Sequence, residues 1–529
     1  MSASVLTAAV LAASLSMGSP EEDTGGLGRY GDDLGQRQTK VFQVGGYFRL
    51  RGELQHNYDL DRGPSPSGQY LYPLPVGNPS RQLLHRADMR LRTDLGIYAP
   101  RGWIAVKVRV DALDNLALGS APVGVPAATT SQDSPPQVLS VKRAYMQVLT
   151  PLGILVAGRM GNHWGLGMLA NGGDCMGCDS GDAADRVAFM VPALQHVFAV
   201  AYDLSATGPF VPDSTGRRVI DVEPRATVHS ATLAVLRAHS PMSLQRRRRG
   251  GRVSFEWGTY GSVRWQRLDV PASYLPIAAD TGTTALTASQ VMQRGYTAAA
   301  GDVWLRLTGK WFRAEAEAAY LWARIEEPSL LPGVEIRRPF TGNQGGFAVQ
   351  SDVGQVDGRF GAGLDLGFAS GDRAPGFGAF PGLLDPAPQP GDLRGPQAQA
   401  PWDTAVNDFR FHPDYRVDRI LFRELIGTVT DATYLRPHVD WHVWRHTHGR
   451  LTASLAGVAS WAVEASSTPG GSRGLGVELD PGLTYETDFG LHVAFEPAVL
   501  VPLAGLDNPY LGTVARAAQL YRLRLQYTF

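Results

Sequence analysis

Arginines two residues apart recur along this chain. Arg49 and Arg51, Arg90 and Arg92, and Arg522 and Arg524 keep that spacing, and Arg86, Lys107, Arg109, Arg143 and Arg159 fall in segments of similar alternation. On an extended strand, residues i and i+2 share a face, so each pair presents two guanidinium groups side by side. A guanidinium is a rigid fork suited to carboxylate and phosphate. Rows of such groups inside a low-dielectric tube favour anions. Carboxylates accompany them, since Glu53, Asp88, Asp94 and Asp111 lie on the same faces. Two arrangements satisfy this pattern: an anion-preferring lumen, or a rigid tube closed by compensating Arg–Asp pairs.

A second constellation lies in a glycine-rich stretch, where Asp174, Asp179, Asp182 and Asp185 surround Cys175 and Cys178. Carboxylate oxygens on a flexible loop suit Ca2+, although this spacing is not that of an EF-hand. A Cys-x-x-Cys pair without a second one is a redox site, half a zinc site or a local disulfide. In an exported chain the disulfide is the expectation. His438 and His442 share a strand face, but four residues at the strand rise separate them by roughly 13 Å, too far for one ion. By strand parity the run Arg246–Arg249 falls in a short-turn connection, where it either docks on anionic lipid headgroups or is a solvated charged turn; with the opposite parity it would face lipopolysaccharide phosphates. There is no GxSxG elbow, HExxH or Walker loop. His163, Asp174 and Ser180 fall in one loop and supply the sole hydrolase candidate, so the expectation is a non-enzyme with no catalytic residue and no cofactor beyond the possible loop Ca2+.

The elements that must hold these residues are strands. In Tyr47–Gln55, Arg49, Arg51, Glu53 and Gln55 alternate with Phe48, Leu50, Gly52 and Leu54. In His85–Tyr98 the polar set from Arg86 to Asp94 alternates with Ala87, Met89, Leu91, Leu95 and Ile97. Such segments run to about 10–14 residues, longer than usual globular strands and long enough to cross a bilayer at a tilt. Eighteen are legible, from 40–57 and 82–98 through 345–352 and 427–444 to 515–529. Tight turns such as Ala99–Gly102, Thr150–Gly153 and Thr487–Gly490 alternate with long connections at Asp59–Arg81, Asn115–Pro136, Gly161–Asp185 and Asp372–Asp403. Short turns on one side and long loops on the other match outer-membrane barrels. The expected fold is therefore all-β: a closed antiparallel transmembrane β-barrel of 18 strands (16 as the alternative count), with short periplasmic turns and long extracellular loops.

Composition agrees. The 529 residues carry 49 Lys+Arg against 50 Asp+Glu, a net charge of −1, so no basic footprint for nucleic acid exists. No apolar run reaches the ~18 residues of a membrane-spanning helix. The apolar stretch Val5–Leu15, followed by small residues, reads as a secretory leader over 1–18, although no Lys or Arg precedes it. A short periplasmic segment over 19–39 and a barrel over 40–529 complete the expected division.

The closing segment YRLRLQYTF places Tyr521, Leu523, Leu525, Tyr527 and Phe529 on one apolar face. It resembles the terminal-strand assembly signal of Gram-negative outer-membrane barrels, which implies the barrel-assembly machinery as a partner. Together with GRMGNHWGLGMLANGGDCMGCDSGDAADR and FHPDYRVDRILFRELIGTVTDATYLRP, it also resembles a poorly characterised outer-membrane family found mainly in myxobacteria. The order of elements up to VKRAYMQV and LVAGRM is loosely similar to alginate-export-type 18-stranded porins. These resemblances imply a location, the outer membrane with its lipids and lipopolysaccharide, and a fold, but no substrate. The functional expectation is a porin-like channel passing anionic or polar solutes, acidic saccharides among them. A closed barrel acting as surface scaffold or adhesin through the loops at Gly158–Arg186 and 372–405 is the first alternative, and a rim-located hydrolase the second.

Overall fold

The computed structural model describes Tyr30, Leu34 and residues 41–529, apart from 120–138, 207, 271–290, 330–334, 337, 355–357, 378–388, 396–397 and 399–402. The expected leader 1–18 lies outside the described residues, as does most of 19–39. The chain opens with β1 (Phe42–His56), β2 (Leu83–Tyr98), β3 (Ile104–Ala117), β4 (Leu139–Thr150) and β5 (Gly153–Gly161). It continues with β6 (Ala183–Ala193), β7 (His196–Ala206), a small separate hairpin of β8 (Phe210–Pro212) and β9 (Val219–Asp221), and β10 (Val228–Arg237). After helix α1 (Pro241–Arg249) come β11 (Ser254–Gln266), β12 (Tyr296–Thr308), β13 (Phe312–Ile325), β14 (Phe340–Gly354) and β15 (Phe360–Ala369). The last five are β16 (Ala432–His446), β17 (Gly449–Ala462), β18 (Gly474–Thr487), β19 (Leu491–Pro502) and β20 (Ala518–Thr528).

Eighteen of these form one antiparallel sheet in which neighbours in sequence are neighbours in space, β10 following β7. β20 pairs with β1, placing Leu525 opposite Leu50 and Arg522 opposite Glu53, so the sheet closes. Gly46 and Phe529 exchange backbone hydrogen bonds of 3.1 and 3.0 Å at the seam. Closure satisfies every strand edge, which lipid cannot do. The even count leaves β1's start and β20's end on the short-turn side, where α1 also lies.

Each strand sorts its side chains by the pleat. Leu233, Val303, Phe347, Leu455, Leu483 and Leu523 are exposed on the outer wall. Trp103, Trp311, Phe360 and Phe489 ring the short-turn end, and Trp265, Trp322 and Trp461 sit toward the other end, also exposed. Amphipathic rings favour the headgroup level. An apolar wall between two aromatic girdles, around an ionic interior, places this closed barrel in the Gram-negative outer membrane.

A barrel of this strand number is too wide for wall side chains to fill. Long connections fill it instead, with Tyr58, Leu60 and Leu71 of the β1–β2 connection among their buried residues. In the β5–β6 connection, Trp164, Met168 and Cys178 are buried, and in the β15–β16 connection so are Phe409, Phe411, Ile420, Leu421 and Phe422. The latter group joins Tyr434, Val458, Leu500 and Leu520 from the wall in one apolar core inside the lumen. This corrects the expectation that Gly161–Asp185 is an outer loop. The physical reason is its own apolar content, which the already covered outer wall cannot bury. Tyr30 and Leu34 are also buried, Tyr30 donating from its hydroxyl to Gly161 O at 2.5 Å and Leu34 packing on Tyr98 and Ala105. The expected periplasmic segment therefore touches the lumenal wall at both described positions.

Two strand starts moved furthest, by five residues each. β14 begins at Phe340 rather than at 345, because Gly342–Gln344, polar and without alternation, still pair with Leu321–Ala323 of β13. The strand expected at 427 begins at Ala432. Leu421–Leu425 upstream instead form a helical turn, with the Asp418 carboxylate accepting from Phe422 N and Arg423 N.

Candidate functional site

The register builds one strongly cationic stretch of wall. On the lumenal face, Arg49 of β1 stands opposite Arg90 of β2, Arg51 opposite Asp88, and Glu53 opposite Arg86. Across the seam, Arg51 stands opposite Arg524 and Glu53 opposite Arg522. Like charges directly opposite each other destabilise a sheet, so the two Arg–Arg pairs require anions from elsewhere. Some come from the wall. Glu53 bridges Arg86 at 2.5 Å and Arg522 at 2.7 Å, and Asp111 holds Arg92 at 2.8 Å through two nitrogens. Arg51 reaches Asp88 at 2.9 Å, Arg524 reaches Glu496 at 3.2 Å, and Arg109 reaches Asp94 at 2.6 Å.

The rest come from the β5–β6 connection. Cys175 and Cys178 are joined in a disulfide, and Cys178 N donates to Cys175 O at 3.1 Å, closing a tight ring. The ring turns a series of acceptors toward the wall. Met176 O and Cys178 O accept from Arg49, and Cys178 O from Arg90 at 2.8 Å. The next side chain, Asp179, meets Arg49 at 3.0 Å and Arg51 at 2.9 Å. From the other inserted connection, Arg423 approaches it at 3.3 Å and Arg416 at 3.6 Å. The two connections also bond each other: Asp179 N donates to Asp414 Oδ1 at 2.9 Å, and His412 N to Met168 O at 2.8 Å.

Two buried glutamates, one on β13 across the barrel and one on β18 two strands from β20, hold the two connections by the same device. Glu317 of β13 accepts from Leu166 N at 2.5 Å and Leu169 N at 3.2 Å. Glu478 of β18 accepts from Arg419 N, Ile420 N and Leu421 N at 2.8, 2.8 and 3.0 Å. Each glutamate satisfies backbone donors that would otherwise be buried without partners.

Most of the predicted lumenal cations gather here. Arg49, Arg51, Arg86, Arg90, Arg92, Arg109, Arg522 and Arg524 form the wall just described. Arg143 joins from β4, donating to Gly172 O and pairing with Asp174 at 3.0 Å, and Lys107 donates to the Tyr98 hydroxyl at 2.7 Å. Arg159 does not belong. It sits on the outward parity of β5 with Leu155, while Val156 and Met160 fill the lumen, and it pairs with Asp185 at 2.7 Å, the Arg159 side chain being 54% exposed. Near the end of the strand an outward ion pair reaches water or headgroups, so the charge did not signal the lumen.

The four loop aspartates do not converge. Asp174 binds Arg109 and Arg143, Asp179 the arginine cluster, Asp182 lies 3.5 Å from His412, and Asp185 faces outward. Among the described residues no group of His, Cys, Asp and Glu is arranged to hold a metal ion, which corrects the Ca2+ expectation for this set. The hydrolase set is likewise dispersed: His163 accepts from Gly172 N at 3.3 Å, while Asp174 is committed to arginines. Tyr521, Leu523, Leu525, Tyr527 and Phe529 form an exposed outward row on β20.

Sequence alternation missed Arg416, Arg419 and Arg423, which lie in a connection, and Arg186 of β6, which donates to Asp203 at 2.6 and 2.7 Å inside the lumen. The run PDYRVDRILFREL contains the signal, since three arginines and buried aromatics share one short stretch.

No family model matches the chain, and no curated protein does. Solved structures align over most of its length. The outer membrane protein OpdK of Pseudomonas aeruginosa does so at 10% identity and a TM-score of 0.45, covering 92% of this chain and 99% of its own. OccK9 (OpdG) of the same organism aligns at 11% identity and a TM-score of 0.47, covering 92% and 98%. OccAB2 of Acinetobacter baumannii aligns at 8% and 0.44, covering 92% and 98%.

Proposed function

We propose that this chain is an outer-membrane channel that admits small anionic solutes past a narrow, arginine-lined constriction. The observation that carries this reading is the excess of cations on this stretch of wall: Arg49, Arg51, Arg86, Arg90, Arg92, Arg522 and Arg524 of β1, β2 and β20 share the lumenal parity with only Glu53, Asp88 and Asp94 on the same three strands. Such a wall concentrates anions and repels cations. Charged groups beside the constriction meet water, the side chains of Arg86 at 40% and Asp94 at 43% exposure among them. Acidic saccharides fit the same chemistry.

A second reading rests on a different observation. Arg49, Arg90 and Arg92 are 0%, 1% and 5% exposed. Dry and held by carboxylates and carbonyls, they also suit a closed barrel that works as a surface scaffold. Planar-bilayer recording of the purified chain under a salt gradient separates the two. Single channels with an anion-selective reversal potential support the channel; cation selectivity defeats the anionic reading, and absence of conductance favours the scaffold.

For assembly, the outward aromatic row ending in Phe529 suits recognition by barrel-assembly machinery. The exposed Arg246 and Arg249 of α1, at the short-turn end, suit contact with anionic headgroups of the inner leaflet.

A further inference from the structure

The ligand chemistry of the arginine cluster is visible in what already occupies it. We propose that Asp179 is a tethered anion seated in a carboxylate-binding site made by Arg49, Arg51, Arg90, Arg416 and Arg423, and that a diffusing carboxylate displaces it. This rests on the channel reading above, and deepens it.

Five guanidinium groups converge on one side chain. Oδ1 of Asp179 lies 3.0 Å from Arg49 and 3.9 Å from Arg90. Oδ2 lies 2.9 Å from Arg51, 3.3 Å from Arg423 and 3.6 Å from Arg416. The cations come from two wall strands and from the other inserted connection, so the site is assembled around the carboxylate rather than beside it. Two further donors are spare: Arg49 Nε and Arg416 Nε are buried with no hydrogen-bond partner. A buried charged donor without an acceptor is costly. A free carboxylate, not held by a backbone, can sit where it also meets one of them.

The anion is built to leave. Its side chain is 26% exposed and that of Arg416 is 22% exposed, against 0% for Arg49 and 1% for Arg90. The open edge of the site is therefore the edge where Asp179 stands. Its hairpin is a small cystine ring with Gly177 at the turn; the carbonyls of Met176, Gly177, Cys178 and Asp179 accept from Arg49, Arg90, Arg416 and Arg423, and Asp179 N donates to Asp414, so the ring stays held when the one carboxylate swings out. Departure without replacement would remove the carboxylate shared by Arg49, Arg51 and Arg90, leaving Arg49 facing Arg90 with Asp88 at 3.6 Å and Asp114 at 2.9 Å, and Arg51 facing Arg524 with Asp88 at 2.9 Å and Glu496 at 3.2 Å. The loss of that shared anion between like charges makes the step an exchange, in which the Asp179 side chain yields when another anion arrives.

The test uses the full chain in detergent, with acetate as the probe and chloride at equal ionic strength as the reference. Asp179→Ala leaves a gap the size of a carboxylate. Its melting temperature is expected to fall below that of the parent chain, and acetate is expected to restore at least half of the loss while chloride does not. In the parent chain, where acetate must first displace Asp179, the same titration should raise the melting temperature by less than in the variant. Asp111→Ala, which empties the closed pairing with Arg92, is the control and should not be restored. Should Asp179→Ala fail to fold, Asp179→Ser carries the same titration. Restoration equal for acetate and chloride, or equal in Asp111→Ala, overturns the proposal. The readout does not need conduction. A restored variant in a barrel that never conducts would sink the channel reading and keep the site, whereas a conducting barrel without restoration would do the reverse.

Discussion

Arg49 of β1 lies directly opposite Arg90 of β2, and neither side chain reaches solvent. A sheet that pairs like charges in its own register and then buries them is unstable by itself. It becomes stable when Asp88, Asp179 and the carbonyl of Cys178 complete the set. The constriction is therefore part of the wall's electrostatics, and the barrel and its inserted hairpin fold as one unit.

Glu53 offers the most direct check on that coupling. Its side chain is 1% exposed and is clamped between Arg86 and Arg522, one on each neighbouring strand. Glu53→Gln keeps the shape but removes the charge, leaving two arginines short of an anion at the seam between β1 and β20. Breaking a buried pair from one side costs about 3–5 kcal/mol. The expected outcome is a lower midpoint for heat- or denaturant-driven opening of the barrel in detergent, read by gel mobility. An unchanged midpoint would show that the seam does not depend on this triad.

The paired glutamate anchors predict separable effects. Glu478→Gln should raise amide hydrogen exchange at Arg419, Ile420 and Leu421 while leaving Leu166 and Leu169 as they were. Glu317→Gln should do the opposite. Each change replaces one acceptor oxygen by a donor amide and loses hydrogen bonds worth about 0.5–1.5 kcal/mol apiece, so exchange should rise by roughly three- to tenfold at the affected amides. Exchange rising at both sites in both variants would mean that the two connections open together.

The barrel was legible in the sequence because lipid imposes a strict rule on each strand. Apolar and polar residues must alternate for the length of the crossing, and Tyr47–Gln55 and Tyr521–Phe529 do so without interruption. Arg159 shows where the rule loosens, since near a strand end an outward charge costs little. The interior was less legible. Nothing in the local pattern of Trp164, Met168 or Phe409 tells whether an apolar residue in a loop points outward or into a lumen, because that depends on empty volume created by strands far away in sequence. Glu317 reads as a lumenal carboxylate and Glu478 does not stand out at all; their roles come from backbone donors about 150 and 60 residues distant.

The cystine ring should govern how firmly the hairpin sits. Replacing Cys175 and Cys178 by Ser removes a constraint on the segment that presents Met176, Cys178 and Asp179 to the arginines. On the channel reading, the double variant should show larger and noisier conductance than the parent in a bilayer. The effect on global stability should be small, since a short ring restricts little of the unfolded chain. Identical current traces before and after the replacement would show that the barrel wall alone fixes the hairpin.

Acid should tighten the outer end of the β15–β16 connection, and alkali should loosen it. Asp408 and Asp431 are 2% and 0% exposed. Burial, with the carboxylates of Asp431 and Asp372 close by, pushes Asp408 up to about 8, against a partial pull from Arg410. Burial pushes Asp431 up to about 7, while Ser467 and the amide of Glu464 hold its charged form and the Glu464 carboxylate opposes it. Both groups have an ordinary carboxylate value near 3.9 when unfolded. A folded value above the unfolded one means the folded form binds the proton more tightly. The stabilisation is therefore complete below about pH 4 and is lost as pH rises through about 7 and 8. Amide exchange over residues 403–431, corrected for its intrinsic pH dependence, should show protection falling between about pH 5 and about pH 9. Asp408→Asn, neutral at every pH, should flatten most of that slope. A parent chain with level protection across the range would show that these carboxyls stay charged in place.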